Sequence, residues 1–249
     1  MNTAAVRPVR FWLLTGLALL VMSLTASLGM WQLDRASQKR ALAQGIAARE
    51  SQPRWANETL LARADDVDAE HRLVELQGRW VTGTQLFLDN RPMAGRTGFI
   101  ALAALRLSGS DRAVLVQRGW VPRDFLDRKR LPDVPLPEGD VRVLGRLAPP
   151  PSQLFEFDAA GSGPIRQNVQ PAALAAEWRI PLLAALSVLQ TGGDAAPLQR
   201  EWPRFAGDEH KHLAYAAQWF AMCAGVAALY LWFQIIQPRL KRRPHGQAS

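Results

Sequence analysis

Phe11 to Leu33 reads FWLLTGLALLVMSLTASLGMWQL, and Leu213 to Ile236 reads LAYAAQWFAMCAGVAALYLWFQII; neither stretch holds a charged side chain. At ~1.5 Å per residue, helices of this length reach roughly 35 Å, enough to cross a hydrocarbon core of about 30 Å. The 249-residue chain is therefore expected to be an α+β membrane protein. Two transmembrane helices, 11–33 and 212–236, would flank one large domain, 34–211, with short tails at 1–10 and 237–249.

Charge orients this arrangement. The chain carries 30 Lys and Arg against 22 Asp and Glu. Arg7, Arg10, Arg239, Lys241, Arg242 and Arg243 lie in the two ends, which hold no acid. Under the positive-inside rule both termini are expected in the cytoplasm, with the domain on the outer side of a cell inner membrane. The domain is close to neutral, so the high pI reports topology, and no basic patch remains for nucleic acid. A cleaved signal peptide is the competing reading of the first run, with small residues at Thr25-Ala26-Ser27. The run is long and continues into a charged helical pattern, which favours an uncleaved anchor.

The single cysteine, Cys223, falls in the second run. The domain therefore owes nothing to disulfides, thiol catalysis or a zinc-thiolate site. Asp34 to Glu50 is rich in Ala, Arg, Gln and Lys and is expected to prolong the first helix. Ser51 to Asp68 reads as polar and irregular. Strand signals follow at Arg72–Trp80, Gln85–Asp89, Phe99–Leu107, Val114–Val121, Val141–Leu147 and Leu182–Gln190, with a short helix at Pro171–Glu177. The prolines of 128–140 predict an extended loop. The spacing predicts a mainly antiparallel β-sheet or small barrel in the extracytoplasmic domain.

Few residues carry chemistry. No HExxH, CxxC, GxSxG or phosphate-cradling glycine loop occurs, and no enzyme activity is expected. His71 reads as structural. The start of the second span is richest: His212, Tyr215, Trp219 and Cys223 fall on one helical stripe, prolonged by Val226 and Tyr230. Ala217, Ala221 and Gly225 fall roughly opposite, a small face suited to close approach by Ser23 and Ser27 of the first span. On that reading the histidine stripe faces away from the first helix. Two readings of the stripe stand open. One is an aromatic belt with a histidine in the headgroup zone. The other is a ligand site, since an imidazole flanked by flat aromatics can hold haem iron. Trp31 and Gln32, at the same membrane depth, are either interfacial anchors or the other wall of such a site. Asp208 is the expected helix cap.

Several strings then carry a resemblance. Leu28-Gly29-Met30-Trp31-Gln32-Leu33-Asp34-Arg35 with Lys39, Leu88-Asp89-Asn90-Arg91 with Gly95 and Gly98-Phe99, and Leu115-Val116-Gln117-Arg118-Gly119-Trp120-Val121-Pro122 run in order along the chain. Arg166-Gln167-Asn168 and His212-Leu213-Ala214-Tyr215-Ala216 with Trp219-Phe220 complete the set. Together they resemble the surfeit locus protein 1 family, with Gln117 where the family often has Asn.

The resemblance implies an assembly factor, a haem chaperone in respiratory chain biogenesis, serving a haem-copper terminal oxidase (cytochrome c oxidase). It implies binding of haem a and help with its insertion into subunit I, with haem a biosynthesis or assembly proteins as further partners. It implies His212 as the haem ligand, with Glu209-His210 competing because Lys211 intervenes. Arg91 and Arg118 are then candidates to hold haem propionates; the plainer reading is surface pairing with Asp89 or Asp111. Gly95, Gly98 and Gly119 read as turn or bulge positions. Two rival functions are a structural protein that steadies an oxidase assembly intermediate without binding haem, and a two-span sensor or transporter accessory. The short tail after Ile236 argues against the sensor.

Overall fold

A computed structural model describes residues 9–124, 126–127, 130–154, 163–194, 196–203 and 209–241. Arg7, Arg242 and Arg243 of the tails, and the expected cap Asp208, lie outside the described residues. The elements in chain order are α1 (Val9–Glu50), α2 (Asn57–Arg63), a 3-10 turn (Val67–Ala69), β1 (Leu73–Trp80), β2 (Leu86–Met93), β3 (Arg96–Leu107), β4 (Ala113–Pro122), β5 (Asp140–Ala148), β6 (Ile165–Arg166), α3 (Pro171–Trp178), β7 (Leu182–Gly192), α4 (Glu209–Tyr230), a π-helical segment (Leu231–Ile236) and α5 (Gln237–Lys241). The chain divides into two compact units, residues 1–45 with 205–249, and residues 46–204.

The 46–204 unit is built on a barrel. Strand order runs β1-β5-β7-β4-β3, and a β1–β3 pairing (Gly78 opposite Leu107, Trp80 opposite Leu105) closes the ring at five strands. Closure leaves no unpaired edge within the ring, and β2 and β6 extend it beyond β3. Among the named strands of the described residues, β4–β7 and β2–β6 pair in parallel and the other pairings are antiparallel. The chain returns from β4 to β7 by a long crossover that includes α3, as a parallel pairing requires. The domain is thus mainly antiparallel, flanked by two apolar helices.

Alternation sorts the side chains. Val74 and Leu76 of β1, Leu105 of β3, Val116 of β4 and Val188 of β7 fill one core with Trp55 and with Leu60 of α2. The opposite faces of β2–β4, Leu88, Leu102 and Leu115, are covered by Leu174 of α3. β3 and β4 are therefore buried on both faces, which is why they read as apolar runs. Burying a leucine such as Leu174 contributes roughly 1.5–3 kcal/mol. Two elements depart from expectation. The stretch read as irregular holds α2, seven residues whose one fully buried side chain is Leu60. β2 runs past Asp89 to Met93, because the chain bulges at Asn90 (φ 59) and resumes pairing at Arg91.

The other unit is a pair of helices. Both contain stretches long and apolar enough to cross a membrane, and large apolar side chains such as Trp12, Leu20, Leu24 and Leu229 stand exposed along them. α1 is unbroken from Val9 to Glu50, so the charged stretch does prolong the first apolar run. The contacts Thr15–Tyr230, Met22–Cys223 and Gly29–Phe220 step up one helix as they step down the other, so the pair is antiparallel. Thr15, Met22 and Gly29 are seven apart. His212, Ala216, Trp219, Cys223, Val226 and Tyr230 alternate steps of four and three, and all are sheltered. That is the seam of a left-handed coiled-coil packing. The π-helical segment precedes Pro238, which lacks an N–H and crowds the carbonyl four residues back; Gln237 donates to Trp232 O, five residues back, in a widened turn.

Candidate functional site

The helix seam corrects one reading of the sequence. Ala217, Ala221 and Gly225 are exposed, as are Ser23 and Ser27, and a Cβ built on Gly225 would meet nothing within 4 Å. The histidine stripe, not the small face, packs on α1. The close approach is supplied from the other side: a Cβ on Gly29 would lie 2.8 Å from the Phe220 ring. A heptad seam with one glycine under one phenylalanine does the work expected of a small-residue stripe.

Along this seam polar side chains pair across the helices. The Thr15 hydroxyl lies 2.8 Å from the Tyr230 hydroxyl. His212 Nδ1 lies 2.7 Å from Gln32 Oε1. One turn beyond, Arg40 Nε donates to Glu209 Oε2 at 3.1 Å. An amide oxygen only accepts, so with Gln32 oriented this way His212 carries its proton on Nδ1. Nε2 then bears a lone pair, and the hydrogen bonds of the described residues leave it without a protein partner. His212 is half-buried, whereas the His210 side chain is 87% exposed and lies 4.0 Å from Glu209. Trp219 is half-buried two turns along the same seam. Tyr215 and Trp31 are each 53% exposed on the flanks of the helix pair. Thus His212, Gln32 and Trp219 share the seam, and Tyr215 and Trp31 do not. Among the described residues no three His, Cys, Asp or Glu side chains converge to hold a metal ion.

Arg91 and Arg118 belong to the barrel unit, and neither is a surface residue. Arg118 is fully buried. Its Nη1 donates to Gln85 Oε1 (3.1 Å) and its Nη2 to the Pro135 carbonyl (3.0 Å). The guanidinium sits 5.1 Å over the Trp80 ring and 3.6 Å from Asp194, which Arg200 also grips. Burial lowers the Arg118 pKa, and Asp194 opposes that shift. Burial alone would raise the Asp194 pKa, but hydrogen bonding and charge from Arg200 hold it below the ordinary carboxylate value. Arg91 donates to Ser152 Oγ and to the Gln167 carbonyl (3.1 and 2.7 Å), and burial lowers its pKa. Asp89 pairs instead with Arg123 at 3.2 Å. The expected surface pairings of Arg91 and Arg118 do not occur, and both guanidinium groups are engaged inside the domain.

The strand around Arg118 explains its string. Ala101 pairs with Gly119 and Leu102 with Gln117, so Arg118 is the extra residue of a bulge. Gly119 adopts φ 152, and a Cβ there would lie 2.6 Å from Leu198 Cβ. Trp120 Nε1 donates to the Arg91 carbonyl at 2.8 Å and its ring covers Gly98, where a Cβ would come within 2.6 Å of Cε2. Gly98 is a close-approach position within β3 and not a turn, whereas Gly95 (φ 75) lies in the β2–β3 hairpin turn. Asp194, Arg200 and Arg40 were not legible as functional partners, because no spacing links them to Arg118 or Glu209.

No curated protein matches the chain significantly. A family model, the SURF1 family, matches residues 19–224, most of the chain. The matched span takes in the Gln32–His212 and Arg40–Glu209 rungs and the whole barrel, and the chain belongs to the SURF1 family, whose members are membrane-associated and generally cytochrome oxidase assembly factors.

Proposed function

We propose that this protein is a non-enzymatic haem chaperone that binds haem a at the outer edge of the membrane and hands it to subunit I of cytochrome c oxidase. The supporting observation is the surroundings of His212: its Nδ1 lies 2.7 Å from Gln32 Oε1, and among the described residues its Nε2 has no hydrogen-bond partner. A lone imidazole fits a metal that brings its other ligands with it, as a porphyrin iron does. His212 would be the axial ligand. Trp219 on the seam, with Trp31 and Tyr215 on its flanks, would supply apolar surface to the macrocycle. The bound group would supply an iron centre for transfer; the chain itself binds it, orients it and shields it. Arg91 and Arg118 are buried, with both Nη groups of each donating to protein oxygens, and would act as interior cations of the barrel.

Purified full-length protein from cells making haem a should show a Soret band, and His212→Ala should lose most of it while still inserting. His210→Ala should retain it. A protein without any Soret band would favour the structural role in oxidase assembly. Full occupancy in His212→Ala would remove His212 as ligand.

The same reading places both termini in the cytoplasm and the barrel outside, on the basic ends flanking the two charge-free runs. A reporter active only outside the cytoplasm should work when inserted within 128–140 and fail when fused after Ser249. The reverse pattern would overturn this orientation.

A further inference from the structure

We infer that Gln32 is a positioning residue for the His212 ligand: its amide oxygen fixes the Nδ1–H tautomer and so presents Nε2 as the donor atom. This rests on the haem reading above. Metal-bound histidines usually pass their second ring N–H to a carboxylate or a backbone carbonyl, which orients the ring and raises its basicity. In a pair of helices the backbone carbonyls are already hydrogen-bonded within their own helix. A side-chain carbonyl must therefore stand in. Gln32 Oε1 does so at 2.7 Å, on α1, opposite the ligand on α4. A glutamate would bring a charge to a rung that adjoins charge-free sequence on both helices.

The orientation of the amide decides the chemistry. With the oxygen toward the ring, Nδ1 donates and Nε2 is a lone pair. With the amide reversed, Nδ1 would accept, Nε2 would carry the proton, and no iron could bind there. The seam holds the two side chains in register. Gly29 lets Phe220 seat a turn below Gln32, Ala36 is buried a turn above it, and Arg40 ties Glu209 beyond that.

The test uses the full chain in detergent micelles, with 15N-labelled histidine. In the apo-protein the His212 signal, assigned by its loss in His212→Ala, should report a proton on Nδ1. Gln32→Leu should release the ring to the mixed tautomers of a free imidazole, and Gln32→Glu should restore the Nδ1 proton. On titration with haemin, Gln32→Leu should weaken binding by about tenfold or more. Gln32→Glu should keep affinity, raise the iron–imidazole stretching frequency and lower the midpoint potential, because a carboxylate makes the ring a stronger donor. A merely structural role would leave frequency and potential unmoved in that variant. If the wild type binds haemin through His212 but Gln32→Leu leaves tautomer, affinity and spectrum unchanged, the inference falls and the haem reading stands. If the wild type binds no haemin while His212 still shows the Nδ1 proton, the haem reading falls and the tautomer assignment alone survives.

Discussion

Two polar residues from the family strings, Arg118 in the barrel and His212 in the helix pair, have opposite surroundings. Arg118 is fully buried, with Gln85, Pro135, Asp194 and Trp80 around its guanidinium. Both of its Nη groups donate to protein oxygens, and the one nitrogen left without a partner, Nε, is sealed in the interior. His212 is half-buried, tied at one nitrogen and, among the described residues, without a partner at the other. The first side chain holds its own domain together; the second is held by its neighbours and left with chemistry to offer. Recurrence in a family string therefore does not sort structure from function. The accessibility of the unengaged atom does: Arg118 Nε is buried, whereas His212 is only half-buried.

The sharpest way to break this comparison is Arg118→Leu. It strips donors from the Gln85 amide oxygen and the Pro135 carbonyl, leaves Asp194 short of one cation, and removes the charge over Trp80. Because Asp194 keeps Arg200, the loss should be about 3 kcal/mol, toward the lower end for breaking a buried ion pair. Thermal unfolding of the full chain should fall by roughly 10 °C, while the fraction that remains folded binds haem normally. A variant as stable as wild type that has lost haem would mean Arg118 is a ligand-holding residue after all.

Gly29→Leu tests the other side. The new side chain meets the Phe220 ring, and overpacking of this kind costs about 1–3 kcal/mol. The expected result is lost haem occupancy with unchanged barrel stability, since the seam that sets Gln32 against His212 is disturbed. Adding Phe220→Ala should recover much of the occupancy by reopening the space. Unchanged occupancy in the single variant would show that the seam does not position the site.

The smallest effect contrasts two histidines. His71, in the barrel unit at φ 66, has its pKa lowered below 6.5, by burial first and then by the charge of Arg146. Its contribution to stability is present above pH 6.5 and is lost as pH falls through the folded-state value, because the unfolded chain takes up a proton sooner. Asn tolerates the left-handed backbone, so His71→Asn should flatten the fall in melting temperature between pH 7 and pH 5.5 without altering any haem spectrum. An identical pH profile in the variant would show that His71 does not contribute to it.

Much of the barrel was legible. Six of the seven strands of the sheet were located, β1 by alternation and β3 and β4 as apolar runs between turn residues, and Pro171 marked α3 at its first residue. α2 was missed because seven residues with one buried leucine make no periodic signal. β6 was missed because two residues make none. At the site, the stripe through His212 was visible at 3.6-residue spacing, but its direction was misread. Small residues at i, i+4 look like a packing face whether or not a partner uses them. Here the glycine that permits contact sits on the opposite helix.

By itself the sequence determined the two charge-free runs, their basic flanks and the mainly antiparallel domain between them, because hydropathy, charge and strand period are properties of neighbours along the chain. Tertiary structure alone decided that β1 meets β3 to close the barrel, that Arg118 turns inward onto Asp194, and that Gln32 reaches His212 across 180 residues of sequence. Each of these joins residues far apart in the chain. Closure, charge burial and the choice of imidazole nitrogen depend on which distant partner arrives, and no local pattern encodes that.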